Sequence, residues 1–302
     1  MKTQVLVPLD GSSLAEQALP CAMALGHGLP AELVLFHAVS IPADAHEILD
    51  NAGRDTDALK EHLEAKAEAY LDKVAGQLQD AGMGVHQVIR HGAAAEAIVD
   101  YAEQAGIWQI VMATHGYTGA TRWTHGSVAE RVLQSASVPV LMVRTLADEA
   151  GTRLEPMRCR RILVPLDGST TAEQVLPPAT SIAKAMGAEM ILLRISIVHV
   201  SGWYTGEWFE PLVGDLETAN HYAKEYLNRV ASDLTRQGIK ASTAVKIGVV
   251  AESIVSYAEA QHIDLIAMCT HGRTGLARWI LGSVADRVLR AGHVPILLVR
   301  AQ

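Results

Sequence analysis

Aromatic side chains are scarce in this chain, 5% of its 302 residues, and there are only three cysteines. Cys21, Cys159 and Cys269 stand far apart with no CxxC pair, so a disulfide framework is excluded and a reducing compartment fits the usage. No histidine joins a zinc-type Cys/His spacing or an H-E-x-x-H run. No stretch of 18 apolar residues occurs, which leaves no candidate membrane helix. The opening "MKTQVLVPLDG" carries too short an apolar run for a signal peptide, so the expected location is the cytoplasm. Basic residues are fewer than acidic ones, 25 against 33, for a formal charge of −8. That balance disfavours a broad nucleic-acid or anionic-membrane footprint, which needs clustered Lys and Arg. It does not bear on one small anion in a local site. Also missing are the P-loop G-x-x-x-x-G-K-[ST] and the G-x-S-x-G nucleophile elbow.

What the chain does have is one unit written twice. "VLVPLDGSSLAEQALP" from Val5 returns as "ILVPLDGSTTAEQVLP" from Ile162. "THGYTGATRWTHGSVAERVLQSASVPVLMVR" from Thr114 returns as "THGRTGLARWILGSVADRVLRAGHVPILLVR" from Thr270, identical at 19 of 31 positions. Between them "TLADEAGTRLEPMRCRR" is polar, holds Gly and Pro, and has no period, which marks a linker. The expected organisation is a first domain at 1–146, a linker at 147–159 and a second domain at 160–302. Either half can bury a sizeable core by itself.

Within a unit, short apolar runs alternate with helical patterns. Strands are expected at Val5–Leu9, Leu33–Val39, Val85–Arg90, Ile107–Ala113 and Val138–Val143. Helices are expected after Asp10, over Thr56–Gln79 and Ala94–Gln104, and from Ser127. Ser13 with Glu16, repeated as Thr170 with Glu173, reads as a capping box. Pro20 should bend or end the first helix. This alternation implies βαβ units with right-handed crossovers, hence an α/β fold of two tandem doubly wound parallel sheets. Ligands of such sheets sit at the carboxyl ends of the strands where strand order reverses. Asp10 and the Thr114–Gly126 loop both fall at such ends.

Gly116, Gly119 and Gly126 can bring backbone amides close to a ligand. The helix they feed starts with uncompensated N–H groups that favour phosphate. Ser127 can cap that helix or donate to a phosphate oxygen, and Glu130 supports the capping role. A Gly-rich turn before a helix is also an ordinary connection. Its return as Gly272, Gly275, Gly282 and Ser283, with "PLDG" beside it in both halves, favours the site.

At these residues the chain resembles the universal stress protein family in its tandem form, over nearly its whole length. Nucleotide-binding members of that family carry Gly-x2-Gly-x9-Gly-Ser/Thr after the fourth strand and an Asp after the first. Gly116, Gly126 and Ser127 match, as do Gly272, Gly282 and Ser283. The resemblance implies two Rossmann-like domains of strand order 3-2-1-4-5 that bind ATP or a related adenine nucleotide, with Mg²⁺ as a possible companion, in a stress-response binding module. It implies Asp10 and Asp167 near adenine and ribose, after Pro8 and Leu9 and after Pro165 and Leu166. Gly116, Gly126, Ser127 and Val128, with Gly272, Gly282, Ser283 and Val284, would surround the phosphates. Ala38 and Ile195 would line the adenine pocket, with Met112 and Met268 nearby. It also implies a pseudo-twofold association of the two domains through their final strands, whose apolar edges invite pairing.

The chain departs from the motif where its first Gly is Ala113 in one half and Cys269 in the other. A thiol takes more room there than a methyl group. Thr124 and His125 also stand where the second half has Ile280 and Leu281. His115 and His271 read as phosphate or ribose contacts, or as loop histidines bonded to backbone. The aromatic cluster Trp203, Tyr204, Trp208 and Phe209 reads as packing of a long loop, or a flap. Neither loop contains a lysine; its cations are Arg122, Arg278 and Arg273. Phosphoryl transfer needs charge neutralisation and an aligned nucleophile, so binding is favoured over turnover. A slow ATP hydrolase and an interaction scaffold with decayed sites are the alternatives.

Overall fold

The computed structural model describes residues 3–40, 56–114, 127–144, 154–196, 213–270 and 281–301. The chain divides into two compact units, Met1–Arg158 and Cys159–Gln302.

In the first unit β1 (Gln4–Pro8) lies parallel between β2 (Glu32–Val39) and β4 (Gln109–Ala113). β3 (Val85–His91) flanks β2, and β5 (Val140–Val143) flanks β4, giving the order β3-β2-β1-β4-β5. The second unit repeats this with β6 (Arg161–Pro165), β7 (Glu189–Ser196), β8 (Ala241–Ile247), β9 (Leu265–Cys269) and β10 (Ile296–Val299), ordered β8-β7-β6-β9-β10. The continuous apolar runs are explained by burial on both faces. Val5, Leu6 and Val7 are all fully buried, as are Ile162, Leu163 and Val164. Two expected strands start later than their apolar runs. β5 begins at Val140 because Pro139 has no amide for the ladder, although its carbonyl accepts from Ile110 at 3.0 Å. β4 begins at Gln109 rather than Ile107.

The helix after β1 is in two pieces, α1 (Ser13–Glu16) and α2 (Leu19–Gly28), with Pro20 in the first turn of the second. A proline there forgoes only an amide that has no intrahelical partner, so the break falls ahead of it. The second unit repeats the arrangement in α6 (Thr170–Glu173) and α7 (Leu176–Met186). The capping box does not form as expected. Ser12, not Ser13, is the N-cap of α1 and accepts from the Ala15 amide, and Ser169, not Thr170, caps α6. The reason is the Asp two residues earlier, which holds each of these serines in place.

The long helices α3 (Thr56–Asp80) and α8 (Val213–Arg236) are charged on most of their surface. Each buries one stripe: Ala67, Leu71, Val74 and Leu78 in one, and Ala223, Leu227, Val230 and Leu234 in the other. The remaining helices are α4 (Ala94–Gln104), α5 (Ser127–Ser135), α9 (Val250–Ala260) and α10 (Ser283–Ala291). Among the described residues no helix is long and apolar enough to cross a membrane.

Candidate functional site

In each unit the order of the strands reverses at β1 or β6, so the crevice of a doubly wound sheet opens beyond Pro8 and Pro165. The ladder runs one step past each proline: Leu9 N–H donates to the Phe36 carbonyl at 2.8 Å, and Leu166 N–H to the Leu193 carbonyl at 2.9 Å. Leu9 and Leu166 are buried, so the next residue is delivered to the mouth from a fixed strand end.

That residue is Asp10, or Asp167 in the second unit. Gly11 and Gly168 follow at φ of 85° and 80°, a backbone state open to glycine, and turn the chain back on the carboxylate. Asp10 Oδ1 then accepts from Ser12 N–H at 3.0 Å and from Ser12 Oγ at 2.5 Å. Asp167 Oδ1 accepts from Ser169 N–H at 2.9 Å and Oγ at 2.5 Å. The serine oxygen in turn accepts from the helix amide at Ala15 or Ala172, 3.1 Å in both. One side chain thus starts a helix while holding the carboxylate in a set orientation.

Opposite Asp10, β4 ends in Met112 and Ala113, both buried, and β9 in Met268 and Cys269. The Thr114 amide donates to Val143, and that of Thr270 to Val299, at 2.9 Å each. In the second unit the Gly282 amide donates back to the Thr270 carbonyl at 2.8 Å, so the loop closes on its own strand end. Gly282 is the N-cap of α10 without any side-chain cap, and the first intrahelical bond runs from Asp286 N–H to its carbonyl at 2.9 Å. Ser283 is therefore the first helical residue, exposed, and its hydroxyl does not cap the helix. The amides of Ser283 and Val284 belong to the turn where anions are favoured. In the first unit α5 likewise opens with Ser127 exposed and Val128 half-buried. Ala38 and Ile195 are half-buried near the ends of β2 and β7. His115, Gly116, Gly119, Gly126, His271, Gly272 and Gly275 lie outside the described residues, as do the loop arginines and the aromatic cluster.

Cys269 is packed away under the neighbouring helix. Its Sγ donates to the Ala172 carbonyl at 3.6 Å, and burial pushes the thiol up to about 12. Among the described residues no three His, Cys, Asp or Glu side chains gather as a metal set.

Four residues complete the mouth of the first unit: Ser12, Tyr70 and His37, which sequence reasoning missed, and Glu16, expected only as a capping partner. Tyr70 on α3 donates its hydroxyl to Glu16 Oε1 at 3.1 Å, and its ring meets the His37 imidazole edge-on, centroids 6.2 Å apart. With Ser12 these residues sit around Asp10. The second unit keeps Ser169, Glu173 and Tyr226, whose hydroxyl donates to Glu173 Oε1 at 2.9 Å. It carries Arg194 at the position of His37. The recurrence of the Tyr–Glu pair in both halves was the available signal. Burial is the largest influence holding both phenols protonated beyond the ordinary tyrosine range, with Glu16 or Glu173 adding to it.

Comparison with known proteins agrees with this duplication. The model of the universal stress protein family matches residues 1–144 and again 158–300. Universal stress protein MJ0531 of Methanocaldococcus jannaschii is 37% identical over 145 residues, which cover 47% of this chain and 82% of that protein. Universal stress protein Slr1230 of Synechocystis is 24% identical over 315 residues, covering 98% of this chain and 99% of that protein. The crystal structure of a universal stress protein from Archaeoglobus fulgidus covers 99% of this chain and 96% of its own, with a TM-score of 0.69 at 21% identity. That last likeness establishes the fold.

Proposed function

The chain belongs to the universal stress protein family, two of whose domains it carries in tandem, and from there we propose that each unit binds an adenine nucleotide, foremost ATP. The protein acts as a binding and regulatory module in the stress response, in a reducing cytoplasm that suits its three buried thiols. Asp10 and Asp167 accept hydrogen bonds from the ribose hydroxyls. Ala38 and Met112, or Ile195 and Met268, bound the adenine. The glycine loops and the first amides of α5 and α10 receive the phosphates, with Ser127 and Ser283 able to donate from the first helical position.

The observation that carries this reading is the Asp–Gly–Ser turn. It is built twice with the same bonds, at the strand end where the sheet order reverses. A carboxylate held by its own cap serine, at the mouth of a doubly wound sheet, meets a hydroxyl-bearing ligand without reorganising. The closing bond from Gly282 to Thr270 places the helix start beside the same sheet end.

Isothermal titration of the whole chain with ATP, alongside Asp10→Ala and Gly282→Val, tests the proposal. Two sites in the wild type are expected, each variant removing one. No heat at high micromolar ATP in the wild type would refute it.

A further inference from the structure

The two mouths are built alike around Asp10 and Asp167, yet they differ at a charge-bearing position on the second strand of each unit. His37 on β2 is in register with Ile89, and Arg194 on β7 with Val245. Each directly precedes the residue proposed to line the adenine pocket. Accepting the nucleotide reading, we propose that His37 makes binding in the first unit fail in acid, while Arg194 keeps the second unit indifferent to pH across the same range.

The surroundings of His37 are specific. Its Nδ1 is buried and has no hydrogen-bond partner. A neutral ring there forgoes one bond. A protonated ring would place a charged N–H donor at a buried nitrogen that makes no hydrogen bond, the costlier state. Among the described residues, the groups that face it are Asp10 beyond β1, Tyr70 from α3 and, through the Tyr70 hydroxyl, Glu16 of α1. On β3 its register partner is apolar, and His91, further along, pairs with Glu64 at 3.4 Å. The carboxylates pull toward protonation. Burial prevails over the Asp10 charge and a backbone hydrogen bond at Leu9, and holds the imidazole below its ordinary range.

A nucleoside seated on Ala38 and Asp10 adds to that burial, so it binds the neutral ring better than the charged one. By linkage its affinity falls once the pH drops below the pKa of His37 in the unliganded protein. The phosphates, whose charge would act in the opposite sense, are assigned to the other side of the mouth at the start of α5. Arg194 cannot respond in this way, because its guanidinium stays charged at every accessible pH.

The test uses the full chain, with the first site read in Asp167→Ala and the second in Asp10→Ala, titrated with ATP from pH 8 to pH 5. In Asp167→Ala the affinity should fall, approaching about tenfold per pH unit below the pKa of His37. In Asp10→Ala only the dependence due to ATP's own ionisation should remain. Adding His37→Arg to the first background should reduce its pH dependence to that of the second unit. Adding Arg194→His to the second should confer acid sensitivity. Both changes use the residue the sister unit already accommodates. Equal pH slopes in the two units, or an acid loss that survives His37→Arg, would overturn the inference while leaving nucleotide binding intact. Absence of binding by both single variants and the wild type at pH 8 would overturn the nucleotide reading, and this inference with it.

Discussion

Ser12 is bonded to Asp10 twice, through its amide at 3.0 Å and its hydroxyl at 2.5 Å, and the same hydroxyl caps α1 at Ala15. Helix start and carboxylate orientation are therefore one structure, so a change in the serine reaches both stability and ligand binding. The second unit repeats the arrangement through Ser169 and Asp167.

Ser12→Ala should destabilise the first unit by about 1 kcal/mol, the usual cost of losing a hydroxyl cap. It should also weaken ATP binding there, because Asp10 loses its side-chain donor. Urea unfolding and calorimetric titration check the two effects separately. Lost stability with unchanged affinity would mean that the serine does not orient Asp10 for the ligand.

Tyr70 and Tyr226 should resist ionisation until the protein unfolds. Their folded pKa values lie above the unfolded one, so the neutral phenol is the form that the fold favours. The associated stability is complete below the unfolded value, about 10, and is lost as the pH rises through and above it. Absorbance titration near 295 nm should show phenols that ionise only together with loss of structure. Tyr70→Phe should remove one of them and cost about 1 kcal/mol through the missing bond to Glu16.

Cys21 and Cys269 should be inert to thiol reagents in the native protein at pH 8. Both are buried, and burial raises each thiol to about 12, leaving little thiolate to attack. Ellman's reagent should modify them only after urea is added. Prompt labelling of Cys269 in the native chain would contradict its placement beneath α6.

Two glycines should respond differently to alanine. At Gly292 a Cβ would lie 2.8 Å from the Val288 carbonyl oxygen, a backbone atom that cannot step aside, so Gly292→Ala should destabilise by about 1–3 kcal/mol. At Gly26 the nearer clash, 2.2 Å, is with the terminal methyl of Met83. That flexible side chain can turn away, and alanine gains about 1 kcal/mol of helix propensity in α2, so Gly26→Ala should be near neutral. Thermal unfolding of both variants compares them directly.

Much of the fold was legible because its causes are local. Buried parallel strands read as unbroken apolar runs, Pro20 breaks the first helix in the sequence as in the structure, and the duplication shows which positions matter in both halves. Asp10 and Asp167 could be placed at strand ends from the same patterns. The N-cap is Ser12 rather than the Ser13 that the Ser-x-x-Glu spacing indicates, because the Asp10 carboxylate holds Ser12 in the Asp-Gly-Ser turn. Glu16, expected to pair in a capping box, instead accepts from a tyrosine 54 residues away.

Sequence alone determined the family, the alternation of strands and helices and the pair of acidic turns, because these depend on periodicity, on neighbouring residues and on repetition. Tertiary structure alone decided what surrounds each carboxylate. Tyr70 and His37 reach Asp10 from different elements, and their protonation depends on burial that exists only after α3 has packed against the sheet.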